Sequence, residues 1–290
     1  MGAAGDMLMA ALLEVHPDPQ GFMERFNALG LPGVLASAQP CVRCGITGTH
    51  VSISVGGVTE ESEDIGHIHE HGHCHVHSCE PAHEHKHEHD GGQPEQESHR
   101  HTGLTEIERL VDSLALPEQV QRDVRFVYHL LAEAESRAHG KPVEQIHFHE
   151  VGTMDAVADI TGVCWLMHEL APERVLASPV HVGSGQVRCA HGILPVPAPA
   201  AAYLLQGIPI YGGAVRGELC TPTGAALLKY FVSDFGPLPE MRLSKIGYGM
   251  GSKEFECLNC VRALLGETRK DKPHGHGHHQ IKEGEADGLS

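Results

Sequence analysis

Two imidazoles and three carboxylates fall within one stretch of thirteen residues, a combination of side chains typical of a metal site. His147 and His149 flank Phe148, and Glu150 follows directly. If this segment is a strand, both histidines project from one face and Phe148 points into the core, because side chains alternate along a strand. Nitrogen and oxygen ligands together suit zinc, nickel, manganese or iron(II), and the residue types do not choose among these metals.

Two aspartates follow the histidines on a predicted helix. Gly152 interrupts the strand, and the apolar residues after it recur at helical spacing. Asp155 and Asp159 are four positions apart and therefore share a helix face, with Asp155 in the first turn, where the helix dipole favours an anion. Taken singly, each residue is better explained as a surface residue or a helix cap. Together they predict a catalytic metal site of five residues: His147, His149, Glu150, Asp155 and Asp159.

Candidate binding residues also occur at the start of the chain. Gly5 and Asp6 precede LMAALLEV, a run of good helix formers. Asp6 is expected at or next to the helix N-cap, where it binds a cation, helps to position a phosphate or only caps the helix. Gly5 and Asp6 are the candidate cofactor-binding residues. His191 is a further candidate metal ligand. Cys189 and Cys220 are either soft transient ligands or buried structural cysteines.

The segment from residue 60 to residue 101 is a low-complexity insert with twelve histidines, mostly in His-x-His steps. It has few large apolar residues, so burial cannot offset its ordering entropy and disorder is expected. Free imidazoles are mostly neutral at pH 7, and such ligands prefer nickel, copper or zinc. The alternative is a neutral repeat expansion. The predicted metal ligands in the insert are His67, His69, His71, His73, His75, His77, His83, His85, His87 and His89.

Composition limits the possible partners and location. A formal net charge of −17 argues against nucleic acid or an anionic membrane as partner. There is no secretory signal and no apolar run of membrane length, so a cytoplasmic protein with reduced cysteines is expected. The pairs Cys41/Cys44 and Cys257/Cys260 are too far apart in sequence for a compact zinc motif, and we interpret them as incidental rather than as one joint metal site.

Helical and strand patterns alternate, which predicts an α/β or α+β fold with a mixed sheet and flanking helices. A strand or hairpin is expected in 41–58, two amphipathic helices in 104–138, and a helix after Thr221. The glycine-rich segment 247–251 is predicted to be a loop before a last strand. The expected organisation is a folded core in two parts, an insert and a tail: 1–59, 60–101, 102–268 and 269–290.

Five motifs closely resemble the LarC family of nickel-insertion proteins, in the order found in that family. They cover nearly all of the chain outside the insert and tail. They are GAAGDM (2–7), IHFHEVGTMDAVADITG (146–162), SPVHVGSGQVRCAHGILPVPAPA (178–200), ELCTPTGAALL (218–228) and IGYGMGSKEF (246–255). The sequence departs from the family at Cys220, where threonine is more usual. No residues here correspond to the family's first strand or to its second, C-terminal domain, so we expect either one member of a split pair or a truncated sequence.

The resemblance implies a nickel chelatase that places nickel into a pyridinium bisthiocarboxylic acid mononucleotide. It implies use of CTP with manganese or magnesium, a nucleotide site on the C-terminal domain, and a lactate-racemase-type acceptor. A C-terminal partner chain is expected if this sequence is one half of a split enzyme. Two other functions are compatible with the residues: a non-catalytic nickel chaperone or store, and a metal-dependent hydrolase.

Overall fold

The computed structural model describes residues 2–59, 102–148, 151–189 and 191–268. Within these ranges the chain forms seven α-helices and fifteen strands. The helices are α1 Gly5–Val15, α2 Pro19–Asn27, α3 Leu104–Ser113, α4 Glu118–His139, α5 Met154–Leu170, α6 Pro199–Leu204 and α7 Pro222–Phe231. The strands are β1 Val34–Arg43, β2 Ile46–Val55, β3 Val58–Thr59, β4 Thr102–Gly103, β5 His147–Phe148, β6 Leu176–Ala177, β7 Val180–His181, β8 Gly183–Ser184, β9 Gln186–Cys189, β10 Gly192–Pro195, β11 Ile210–Tyr211, β12 Gly217–Glu218, β13 Asp234–Phe235, β14 Met241–Met250 and β15 Cys260–Thr268.

The long strands form one mixed sheet in the order β1-β2-β14-β15, with β3 also paired to β2. β1 and β2 make the predicted hairpin, and β14 and β15 are likewise antiparallel. The central contact between β2 and β14 is parallel, with Gly249 opposite Thr49. The prediction of an α/β fold with a mixed sheet and flanking helices is therefore confirmed.

The glycine-rich segment 247–251 was expected to be a loop, and that prediction is wrong: most of it belongs to β14. The glycines are explained by the close approach of α1 to this strand. A Cβ on Gly249 would lie 1.9 Å from the carbonyl oxygen of Met7, and one on Gly247 would lie 2.1 Å from that of Ala11. Glycine in a strand can mark such an approach of another backbone as well as a turn.

α5 is the central helix of the fold. Ten of its residues are buried, including Ile160, Leu166 and Trp165. It packs against α1, which covers the sheet, and on another side against α4. α4 in turn contacts α6 and α7, so the helices form a layer behind the sheet. Within this layer α5 is enclosed between α1 on one side and α4 on the other, which explains why α5 is apolar on almost every face.

The segment before α5 is held in place by aromatic packing. Phe148 is 2% exposed, and its ring lies 5.8 Å from that of Tyr128. The Tyr128 hydroxyl donates to the carbonyl of Val151 at 3.1 Å. These contacts fix the point at which the chain enters α5. In the described ranges no helix is long and apolar enough to span a membrane.

The predicted insert and tail, residues 60–101 and 269–290, lie outside the described residues. The same is true of His149 and Glu150. The two helices predicted in 104–138 are confirmed as α3 and α4, and the last strand is confirmed as β15.

Candidate functional site

A cavity of about 800 Å³ lies where the N-terminal ends of several helices meet. The first residues of α1, α5 and α7 all line it, together with part of β2, the C-terminal turn of α4 and the β9–β10 hairpin. A volume of this size is typical of small-molecule sites in proteins. Helix N-termini carry partial positive charge, so the cavity is polar even before its side chains are considered.

Three aspartates form what we call the acidic wall of this cavity: Asp6, Asp155 and Asp159. Asp6 lies in the first turn of α1, as the sequence predicted, with Ala4 rather than Asp6 as the N-cap residue. Asp155 and Asp159 both face the cavity from α5, which agrees with their predicted common helix face. Gly5 allows the close approach of α1, because a Cβ there would lie 2.6 Å from the Cβ of Asp159.

The acidic wall has unused hydrogen-bonding capacity. Within the described ranges, the Oδ1 atoms of Asp155 and Asp159 are buried and accept no hydrogen bond. Buried carboxylate oxygens are normally hydrogen-bonded, because an unpaired buried charge is costly. Two such oxygens beside one cavity are therefore the observation that most directly indicates a cationic ligand.

The carboxyl groups of the acidic wall also perturb one another. Burial, followed by the charges of Asp6 and Asp155, holds the pKa of Asp159 well above its ordinary value. Burial likewise raises the pKa of Asp6, although the Met7 amide and the charge of His50 oppose the rise. A bound cation would reverse these effects, because it stabilises the ionised carboxylates.

His50 on β2 is a site residue that sequence reasoning missed. It lines the cavity, and its Nδ1 lies 3.0 Å from the carbonyl oxygen of Met250. Because that carbonyl can only accept, Nδ1 carries a proton, and in the neutral ring the free lone pair is on Nε2. This is the usual arrangement of a metal-binding histidine, whose other nitrogen donates to a carbonyl. The only sequence signal was a histidine within an alternating strand.

A second group of potential ligands, which we call the histidine wall, also lines the cavity: Glu135, His139, Cys189 and His191. Glu135 and His139 are one turn apart at the end of α4, with His139 Nε2 and Glu135 Oε2 at 3.3 Å. The rings of His139 and His191 lie 4.7 Å apart between their centroids. The sequence predicted His191 as a ligand but did not identify its neighbours on α4.

His147 is placed differently from the aspartates. It is exposed, and it does not line the cavity. Phe148 occupies the buried side of β5, so alternation along the strand turns His147 outward, and β5 pairs with β4 through His147 and Gly103. His149 and Glu150 cannot be placed, so their role as ligands stays a prediction.

No preformed metal cluster accompanies these residues. In the part of the chain that the structure describes, no three His, Cys, Asp or Glu side chains are grouped closely enough to hold one ion. Neither Cys-x-x-Cys pair belongs to such a group in the described ranges, and Cys44 and Cys257 are exposed whereas Cys260 is buried. Cys220 is fully buried, and burial, with a smaller contribution from Glu218, raises the pKa of its thiol to about 12. Cys220 is therefore a protonated core residue at neutral pH.

The fold and the cavity define an α/β protein with a candidate site for a small charged ligand. Comparison with known sequences identifies the family. The profile of the nickel insertion protein family matches residues 1–287, and the chain belongs to this family. The resemblance noted in the motifs is confirmed over the whole chain.

Curated relatives carry a more specific name, pyridinium-3,5-bisthiocarboxylic acid mononucleotide nickel insertion protein. One from Desulfitobacterium hafniense is 37% identical over 285 residues, 98% of this chain and 60% of its own length. One from Staphylococcus epidermidis is 34% identical over 92% of this chain and 58% of its own. One from Geobacillus kaustophilus is 32% identical over 93% of this chain and 58% of its own. The chain thus spans about 60% of the length of these relatives. No solved structure matches it.

Proposed function

We propose that this chain inserts nickel into a pyridinium-3,5-bisthiocarboxylic acid mononucleotide, with nickel as its metal cargo. The family and the names of the relatives support this reaction. The structural observation that carries the proposal is the pair of buried, unpartnered oxygens of Asp155 and Asp159, both on a cavity large enough for a mononucleotide. Their charge attracts a divalent cation to the place where the substrate would bind.

The two walls contribute different ligand chemistry. The acidic wall supplies oxygen ligands and most of the negative charge. The histidine wall supplies the nitrogen and sulfur ligands that nickel prefers among divalent cations, through His139, His191 and Cys189. His50 adds a further imidazole beside Asp6. We expect nickel in the cavity to be held by only a few protein ligands from either wall.

An incomplete metal site is suited to transfer. A protein that delivers a metal must release it, so a full cage of protein ligands would work against the reaction. The described residues form no group of three ligands around one point, which agrees with a holding site that the substrate completes. The two thiocarboxylate sulfurs named in the relatives' substrate are soft ligands and would take over the nickel.

The resemblance also implies CTP with manganese or magnesium. The oxygens of the acidic wall are the ligand type that these harder cations take, so Asp6, Asp155 and Asp159 fit such an ion as well as nickel. When bound, a manganese or magnesium ion would neutralise phosphate charge.

We propose that CTP binds to a C-terminal region or a partner chain, which corresponds to the part of the relatives' length that this chain does not span. The apoprotein that accepts the finished nickel cofactor would be of the lactate-racemase type, and the reaction would take place in the cytoplasm.

Single-residue variants can test the nickel site. Asp155→Asn, Asp159→Asn and His191→Ala should each lower the yield of nickel-containing mononucleotide, measured by mass spectrometry with substrate, nickel and CTP supplied. Matched controls are Asp234→Asn and His168→Ala, both exposed and away from the cavity. Equilibrium dialysis with nickel, manganese and magnesium then shows which ion each wall binds. Unchanged product from the doubly substituted Asp155/Asp159 variant would contradict the proposal.

A nickel chaperone or store is the second candidate, favoured by the twelve histidines of residues 60–101. A store binds nickel without forming the modified mononucleotide. Product formation by the purified chain with added CTP and any required C-terminal partner therefore separates the two functions.

A further inference from the structure

Asn259 closes the loop between β14 and β15. Its side-chain amide nitrogen donates to the Lys253 carbonyl at 3.2 Å, and its main-chain carbonyl accepts from the Gly251 amide at 3.1 Å. Gly251 leaves room for this side chain, because a Cβ at Gly251 would lie 2.5 Å from the amide nitrogen of Asn259. The fold therefore fixes the position of the Asn259 side chain on both sides of the loop.

The same contacts determine which end of the Asn259 amide is free. A carbonyl can only accept, so the amide nitrogen faces Lys253 and the oxygen Oδ1 is the end left over. Oδ1 is buried and accepts no hydrogen bond from the described part of the chain. Asn259 is 8% exposed and lines the cavity. Because buried amide oxygens normally have a partner, this oxygen beside a cavity indicates a ligand that donates a hydrogen bond.

The chemistry of an amide oxygen limits what that ligand can be. It carries no hydrogen, so it offers nothing to a phosphate or a carboxylate, which also only accept. It is uncharged, so it adds little to the attraction that the three carboxyl groups of the acidic wall exert on a cation. A hydroxyl or N–H group is the partner that it suits best.

The substrate of the proposed function contains few such donors. The ring nitrogen of a pyridinium mononucleotide is bonded to the sugar and has no hydrogen. Its thiocarboxylate groups and its phosphate are ionised acceptors at neutral pH. The hydroxyl groups of the ribose are the donors that remain.

We propose that Oδ1 of Asn259 accepts a hydrogen bond from a ribose hydroxyl of the mononucleotide, so that Asn259 is a specificity-determining residue of the cavity. This inference rests on the proposed function and deepens it, because it assigns a subsite for the sugar. A site built to bind a hydroxyl discriminates against a ligand without one, because the buried acceptor is then left unpaired. The carboxylates of the acidic wall stay available for the metal.

Binding measurements without nickel test the sugar subsite apart from insertion. The probes are nicotinic acid mononucleotide and its 2′,3′-dideoxy analogue, which differ only in the ribose hydroxyls, titrated calorimetrically into the full chain. The unmodified protein should bind the mononucleotide about tenfold or more tightly than the analogue. Equal affinities, or no binding of the mononucleotide, overturn the subsite.

Variants assign the preference to Asn259. Asn259→Leu keeps the approximate size of the side chain, and Asn259→Ala removes most of it. Both should bind the two probes with equal affinity, and neither should bind the dideoxy analogue more weakly than the unmodified protein does. Glu254→Gln is the matched control, because Glu254 lies in the same loop, pairs with Arg43 and does not line the cavity. It should keep the full preference.

The remaining outcomes separate the subsite from a structural role and from the proposed function. A preference that survives in either Asn259 variant overturns the subsite. Weaker binding of the dideoxy analogue by both variants also overturns it, since Asn259 would then only hold the loop. Nickel insertion is measured separately by mass spectrometry of the product. A chain that shows the Asn259-dependent preference but inserts no nickel supports the subsite and rejects the proposed function, and insertion without the preference does the reverse.

Discussion

The charge of Asp6 on α1 acts directly on Asp159 on α5, two residues that the sequence separates by more than half the chain. Burial is the largest cause of the raised pKa of Asp159, and the charge of Asp6 is the next largest. The backbone amide of Asp6 also interacts with the Asp159 carboxyl and partly opposes the rise. The two helices are thus joined at an electrostatically unfavourable point, and such clustered, perturbed carboxyl groups are typical of functional sites.

Asp159→Asn should therefore stabilise the metal-free protein at neutral pH. The folded protein binds the Asp159 proton more tightly than the unfolded chain does, because the folded pKa is raised. The free energy of unfolding therefore falls as pH rises from the unfolded pKa to the folded one, and the loss persists at higher pH. Thermal melts should show a melting temperature several degrees higher for the variant at pH 7, and the difference should shrink towards about pH 4.

Asp234→Asn is the control for this comparison, because Asp234 is exposed and paired with Arg174 at the surface. Its melting temperature should differ little from that of the unmodified protein at any pH. A destabilised Asp159→Asn protein at pH 7 would contradict the electrostatic interpretation of the acidic wall.

Gly5→Ala should disturb the same contact by volume rather than by charge. The added methyl group would lie 2.6 Å from both the Cβ and the Oδ2 of Asp159, so either α1 or α5 must move. Overpacking of this kind costs about 1–3 kcal/mol of unfolding free energy. Chemical denaturation measures the loss. Gly236→Ala is the matched control, because no atom lies within 4 Å of a Cβ at that position; equal losses in both variants would refute the steric argument.

Local patterns predicted the helices of this protein better than its site. The cap at Thr221, the Asp155 and Asp159 face and the buried Phe148 all follow from spacing along one element. The glycines of β14 were misassigned because their reason is the α1 backbone beside them, which lies far away in the sequence. Tertiary packing of this kind leaves no periodic signal along a single chain.

The composition of the cavity was only partly predictable for the same reason. His50, on β2, and His139, on α4, reach the cavity through the packing of separate elements, and neither lies in a recognisable motif. His147 lies in the strongest motif of the chain but faces outward from β5. The sequence motifs therefore indicated which potential ligand residues the chain contains. The fold determines which of these residues lie together at the cavity.

Buried thiols should be protected from alkylation in the folded state. Burial holds the pKa of Cys164 well above its ordinary value, and burial with the charge of Glu218 raises that of Cys220 to about 12. Because the thiolate is the reactive form, iodoacetamide at pH 8 should leave both residues unmodified, whereas the exposed Cys44 should react. Peptide mass spectrometry with and without urea measures this. Rapid native labelling of Cys220 would reopen its role as a nickel ligand.

Replacement of the twelve histidines in residues 60–101 by asparagine should separate nickel supply from nickel insertion. The change keeps the length of the segment and removes its imidazoles, so equilibrium dialysis should show fewer nickel ions bound per chain. If the cavity carries out insertion, product formation should fall at limiting nickel and recover at saturating nickel. Failure to recover at saturating nickel would favour a delivery or storage role in which the segment is indispensable.

His50→Gln tests whether the imidazole found beside Asp6 takes part in metal binding. The Gln side-chain amide can still donate towards the Met250 carbonyl, but the lone pair of Nε2 is lost. If Nε2 is a ligand, nickel affinity measured by competition with a chelator should fall about tenfold or more, while the melting temperature changes little.

His129→Gln is the matched control, because His129 is an exposed histidine paired with Glu108 at 3.0 Å. Equal nickel affinities in both variants would restrict His50 to supporting the sheet.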